Sequence, residues 1–165
     1  MKGQLCALLR SFFYAQKGIG YGIKTQRNLR IHLTALTVVI VFNAMAGLSV
    51  THWCIELLCC MLVISLELVN TALESACDQI SRESHPLLGH AKDAAAGAVL
   101  ISAIGSVVIA CLIFFRGGEY QQRVAALLQM HGWIKYALLI GVIAAVLFVF
   151  LPSYMQNKRE HKEFL

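Results

Sequence analysis

Glu67, Asn70, Glu74 and Asp78 follow one another at helical intervals inside an otherwise apolar stretch. At 100° per residue the four fall within an arc of about 80°, so a helix would carry them as one polar stripe. An ionisable group in the middle of a membrane helix costs about 2.5–3.5 kcal/mol on insertion scales. Three acids in three turns therefore call for a purpose. Carboxylates are the hard oxygen ligands that Mg²⁺ takes together with phosphate oxygens. A carboxylate is also a competent base for a hydroxyl group. Lys92 follows as a cation able to neutralise a triphosphate, with Asp93 beside it and the polar turn Glu83-Ser84-His85 before it. Such a set suits phosphoryl transfer, where catalysis is mostly positioning and charge neutralisation. Two other uses of the stripe are open from the residues alone: pairing with basic groups on neighbouring helices, and proton or ion relay.

The elements that must hold this stripe read as membrane helices. Of 165 residues, 58% are hydrophobic and only 14% charged, with a mean hydropathy of +0.68. Soluble domains carry nearer a quarter charged residues, and a soluble fold of this size would expose too much apolar surface. Residues 4–24 interleave Arg10, Lys17 and Lys24 with Leu8, Leu9, Phe12, Phe13, Ile19 and Ile23, the pattern of an amphipathic helix lying on an anionic membrane surface. Spanning helices are predicted over 31–48, 54–81 and 86–115. The second has 28 positions, or about 42 Å, against a hydrocarbon core of about 30 Å. It should project past the bilayer and leave the end of the stripe wet. A semi-polar connecting helix reaches about residue 130, and the apolar run 134–151 between Trp133 and Pro152 is long enough for a fourth crossing. The first two spans are joined by a loop without Lys or Arg, while the N-terminal segment, Arg82, Lys92 and the basic tail belong to the other side. The positive-inside rule then places both termini and the 79–93 loop in the cytoplasm. The expected layout is one lipid-facing unit over 1–117, followed by 118–165 with the connecting helix, the fourth span and the tail.

Some features exclude chemistry. There is no GxxxxGK[ST] loop and no HRD/DFG set, so no soluble kinase fold is indicated. Gly18, Gly20 and Gly22 follow no strand and read as small residues for close helix approach. The six cysteines lack a CxxC or zinc spacing and read as small buried hydrophobes. Asn43 is expected to make an interhelical hydrogen bond. Glu56 reads as a solitary, solvated acid near the outer interface.

The run Glu67-Leu-Val-Asn70-Thr-Ala-Leu-Glu74-Ser-Ala-Cys-Asp78, followed by His85-Pro-Leu-Leu-Gly-His-Ala-Lys92-Asp93, resembles the signature of the prokaryotic diacylglycerol kinase family, which includes undecaprenol kinases. Tyr14-Ala-Gln-Lys17-Gly18 and Gln26-Arg-Asn28-Leu-Arg30-Ile-His32 are similar to it as well, so the likeness covers about 7–115. The resemblance implies an all-α integral membrane fold: a surface helix and three core spans, assembled as a homotrimer with active sites between subunits. It implies ATP and Mg²⁺ as cofactors and a lipid alcohol as acceptor. Glu67 would be the base, with Asn70 supporting the site. Glu74 would hold the metal. Tyr14, Asp78, Glu83, Ser84, His85, Lys92 and Asp93 would surround the nucleotide. Two positions depart from the pattern. Gln26 stands where many members place a second metal-binding glutamate, offering an amide oxygen without charge, and Ala96 replaces a frequent serine. The fourth span lies outside the three-helix unit.

A lipid kinase of a bacterial inner membrane, with no nucleic acid partner, is therefore the expectation. A transporter is disfavoured because the polar stripe occupies only one half of the bilayer, and a purely structural subunit leaves the acids unexplained. Diacylglycerol is the expected acceptor on family breadth. Undecaprenol is the alternative, suggested by Arg27-Asn28-Leu29-Arg30-Ile31-His32.

Overall fold

The computed structural model describes residues 2–81, 85–116, 118–129, 136–137 and 140–151. Five helices follow in order: α1 (Lys2–Thr25), α2 (Arg27–Ala46), α3 (Val50–Ile80), α4 (Pro86–Phe115) and α5 (Glu119–Gln129). A further apolar helix covers Ile140–Leu151. Among the described residues three helices, α2, α3 and α4, are long and apolar enough to cross a membrane. The chain is a multi-pass membrane protein.

Local chemistry sets the breaks. Gln26 is extended, with φ −100° and ψ 114°, and this one residue separates α1 from α2. The helical hydrogen-bond pattern nearly bridges it, since Gln26 N–H donates to the Gly22 carbonyl at 2.8 Å and Arg30 N–H to the Gln26 carbonyl at 3.4 Å. Gly47 ends α2 in the left-handed region, at φ 60°, a conformation that favours glycine. Ser49 then caps α3, accepting from the His52 backbone N–H, as serine does at a helix start. The connection is shorter than expected because this cap lets α3 begin at Val50 rather than near residue 54. The basic residues Arg27 and Arg30 form the first turn of α2 instead of a lead-in to it. Pro86 opens α4 at a position where its missing N–H costs nothing.

At 31 residues, α3 is about 46 Å long and exceeds the hydrocarbon core by about 16 Å. It packs between α2 and α4 and forms the centre of the bundle. The corner where α1 turns into α2 packs against the middle of α3. There Gly22 presses on its neighbours: a β-carbon on it would lie 2.8 Å from Leu29 Cδ2 and 3.0 Å from Leu68 Cδ2. Gly18 and Gly20 have nothing within 4 Å. Close approach thus explains one glycine of the three.

At the far end of α2 the connecting helix closes the bundle. Tyr120 is buried, and its ring lies 5.4 Å from that of His52, edge to face. Phe114 stacks on Phe42 at 5.2 Å. Arg123 donates to the Ala46 and Gly47 carbonyls at 2.7 and 2.6 Å, supplying partners that the last turn of a helix lacks. Most other large apolar side chains are exposed on the single chain, including Leu100, Ile101, Ile104 and Val107 of α4. Lipid, or another copy, is the natural cover for such surfaces.

Replacing Gly22 by Val should lower the unfolding free energy by about 1–3 kcal/mol through overpacking, read by denaturant titration in detergent micelles. Gly20→Ala should be neutral or stabilising by up to about 1 kcal/mol, because only helix propensity changes there. Equal effects at the two positions would refute the packing assignment.

Candidate active site

The acidic stripe is a real surface of α3, but its members differ in burial. Glu67 is 2% exposed and Asn70 7% exposed, whereas Asp78 is open to solvent. Glu74 is intermediate. The stripe therefore runs from the interior of the bundle out along the projecting end of α3.

Glu67 lies level with the start of α2, with the Asn28 side chain near its carboxyl group. Thr71 donates its hydroxyl to the Glu67 backbone carbonyl at 2.9 Å, one turn on. Asn70 Nδ2 donates to Glu74 Oε1 at 3.3 Å, while its own Oδ1 is buried without a hydrogen-bond partner. A buried carbonyl oxygen left in that state is costly, about 1–3 kcal/mol, and a cation or a donor from a ligand would satisfy it. The Glu74 carboxylate and the orphaned Asn70 oxygen, one turn apart, are oxygen donors of the kind that Mg²⁺ takes. Among the described residues no three His, Cys, Asp or Glu side chains converge. The protein would thus supply only part of an octahedral shell, as Mg²⁺ sites completed by phosphate oxygens do.

Further out, Lys92 at the start of α4 pairs with Asp78 at the end of α3. The ion pair joins the end of α3 to the first turns of α4. Lys92 is half-buried and Asp78 exposed, so this is a solvated pair of small energy, readily exchanged for another anion. Asp93 and His85 are exposed beside it. Glu83 and Ser84 lie outside the described residues.

Gln26 is half-buried at the α1–α2 corner, two residues before Asn28. Tyr14 is 64% exposed on α1 with its ring 6.3 Å from that of Phe13. Among the described residues no hydrogen bond joins Tyr14 to the acidic stripe. Between α1 and α3 an open cleft of about 610 Å³ is lined by Ala15, Gly18 and Ile19 on one side and Leu68, Thr71 and Ala72 on the other. It runs along the helix face next to Glu67.

Two expectations change. Glu56 is not solitary: Asn43, 1% exposed, donates its amide to the Glu56 carboxylate. Their positions on α2 and α3 face each other, so Asn43 makes its interhelical bond to the very acid read as solvated. Asn28 was missing from the predicted site. Its type, a small amide beside two arginines, gives no periodic signal, and only the packing of α2 on α3 brings it to Glu67.

The sequence profile described as "Prokaryotic diacylglycerol kinase" matches residues 13–114. The chain is 40% identical over 113 residues to a protein named undecaprenol kinase from Bacillus subtilis, covering 68% of this chain and 92% of that one. It is 44% identical over 108 residues to a protein named diacylglycerol kinase from Synechocystis, covering 64% of this chain and 62% of the relative. With the Escherichia coli protein named diacylglycerol kinase the identity is 42% over 55 residues, 33% of this chain and 45% of the other. No solved structure matches.

Asn28→Ala should remove a polar neighbour of a buried carboxylate and cost about 0.5–1.5 kcal/mol of stability, the range for an ordinary polar contact. Combined with Glu67→Gln, the cost should be less than the sum of the two single changes. Strict additivity in denaturant titrations would show that the two side chains do not interact.

Proposed function

We propose that this chain, which belongs to the prokaryotic diacylglycerol kinase family and is a lipid kinase, transfers the γ-phosphoryl group of ATP to a membrane lipid hydroxyl at the corner where α1, α2 and α3 meet. The observation that carries this reading is Glu67, a carboxylate 2% exposed within an apolar bundle, with Asn28 near it. It stands at the start of a polar stripe that leads outward to water. One end of such a stripe suits a lipid, the other a nucleotide.

In this reading the lipid hydroxyl oxygen bonds to the γ-phosphorus and the bond from that phosphorus to the β–γ bridging oxygen breaks. ADP leaves, and the hydroxyl proton passes to the Glu67 carboxylate. Asn70 keeps Glu74 oriented through its amide. Glu74 and Gln26 hold the metal, with the free Asn70 oxygen suited to the same donor set. Mg²⁺, when bound, neutralises phosphate charge. Lys92 leaves Asp78 for the phosphates, and Tyr14, Asp78, Glu83, Ser84, His85 and Asp93 border the nucleotide. The apolar cleft between α1 and α3 gives the lipid chain a place beside Glu67.

Loop charge supports a site facing the cytoplasm of a bacterial cell, with α1 on the inner surface of its membrane and both termini on that side. The exposed apolar faces of α4 support a homotrimer, in which neighbouring copies would cover them.

Undecaprenol is favoured as acceptor. The relative named for it matches over 92% of its length, and the stretch that suggests it, Arg27–His32, is the one built into the corner beside Glu67. Diacylglycerol is the second reading, supported by the 44% identity to the Synechocystis protein.

Purified protein in vesicles, offered both lipids with labelled ATP, should phosphorylate undecaprenol at a higher kcat/KM. A preference for diacylglycerol would reverse the order. Glu67→Gln should abolish turnover, a loss of at least about 10²-fold, while retaining the folded helical spectrum. Full activity in that variant removes Glu67 from the base role. Glu74→Gln should raise the Mg²⁺ concentration needed for half-maximal rate, and an unchanged Mg²⁺ titration would count against its ligand role.

A further inference from the structure

The profile shared with the family ends at residue 114, so α5 and the helix Ile140–Leu151 lie outside the matched unit. Two arginines tie that segment to α2. At the far end of the bundle, Arg123 of α5 donates to the last carbonyls of α2, those of Ala46 and Gly47. At the site end, Arg30 in the first turn of α2 is 1% exposed. Its Nε donates to the Val149 carbonyl at 3.1 Å. Its Nη1 donates to the Ile23 and Lys24 carbonyls at 2.9 and 3.3 Å.

All of these acceptors lie in the last turns of their helices, where carbonyls lack intrahelical partners and carry the negative end of the helix dipole. A guanidinium is planar and forked, with five donors in a fixed geometry, so one Arg30 holds two helix ends at once in a way that a compact three-donor ammonium matches less well. Val149 is itself buried. The 20 residues of α2 rise about 30 Å, the thickness of a hydrocarbon core. A segment attached to both ends of α2 must cover that distance.

We infer that the C-terminal segment is a brace which crosses the membrane alongside α2 and, through Arg30, fixes the α1–α2 corner that presents Gln26 and Asn28 to Glu67. Arg30 is then a positioning residue: it touches neither nucleotide nor lipid, but sets where the corner stands. The catalytic part of this inference rests on the proposed metal role of Gln26. The mechanical part does not.

The test uses the full chain in lipid nanodiscs with its own cysteines replaced by alanine. Spin labels are placed on Lys24→Cys and Leu151→Cys, and labelled protein is diluted with unlabelled protein to isolate distances within one chain. With Arg30 intact, the label distance should be short and narrowly distributed. Arg30→Met should broaden it and raise the Mg²⁺ concentration for half-maximal rate about tenfold. Arg30→Lys, which keeps the charge and serves should the Met variant fail to fold, should broaden it less and raise the Mg²⁺ requirement about threefold. An unchanged distance distribution in the variants overturns the brace. A broadened distribution with a lower kcat and an unmoved Mg²⁺ requirement overturns the positioning role and leaves a merely structural tie. Gln26→Ala separates the premises: if it leaves the Mg²⁺ titration where it was, the metal role of the corner fails, while the label distances still decide the brace.

Discussion

A carboxylate in the interior of an apolar helix bundle is costly to desolvate, and Glu67, 2% exposed, stands where α2 packs on α3 with the Asn28 side chain near its carboxyl group. The packing at that point sets α2 against α3. Once Asn28 stands opposite Glu67, Leu29 follows into the core at 1% exposure and Arg30 into the junction with α1. Gly22 is then pressed against Leu29 and Leu68, which brings α1 against α3 and opens the cleft beside the acid. The desolvation that makes Glu67 expensive is the same property that a base for a lipid hydroxyl needs, because electrostatic interactions strengthen where water is excluded.

Helix ends impose the second constraint. A chain of membrane helices has unpaired carbonyls at every C-terminus, and none can be left in a medium without donors. This protein answers with arginine twice, Arg123 on the end of α2 and Arg30 on the ends of α1 and the last described helix. Between them lies the Asn43–Glu56 pair, which satisfies an acid that would otherwise face apolar surroundings. The bundle is therefore tied at the two ends of α2, with the Asn43–Glu56 pair about one turn inside the Arg123 end, and apolar contact fills the space between. Such an arrangement accords with membrane association, where the hydrophobic effect no longer separates helix from lipid and polar ties add to packing.

The polar stripe grades from buried to solvated along α3 because that helix outruns the bilayer. Its inner members, Glu67 and Asn70, are enclosed, and its outer members reach Lys92 in an exposed ion pair. A weak, wet pair suits a group that must release its partner to phosphate, while a buried, supported carboxylate suits proton transfer. Burial, rather than residue type, is what distinguishes the acids of the stripe.

The helical elements, the single face of Glu67, Asn70, Glu74 and Asp78, and the excess length of α3 are legible in the chain itself. They depend on periodicity and on hydropathy summed over many residues, which are properties of a segment and not of its neighbours. The exact helix starts were less legible: Ser49 and Gly47 moved them by a few residues through caps that act over one turn. Only tertiary structure decided that Gly22 and not Gly18 or Gly20 is the point of contact, that Glu56 has Asn43, and that Asn28 and Arg30 serve the corner. Those are matters of which faces meet. A contact between residues 119 positions apart, such as Arg30 with Val149, leaves no local pattern, because each partner's own sequence is satisfied by many other neighbours until the helices pack.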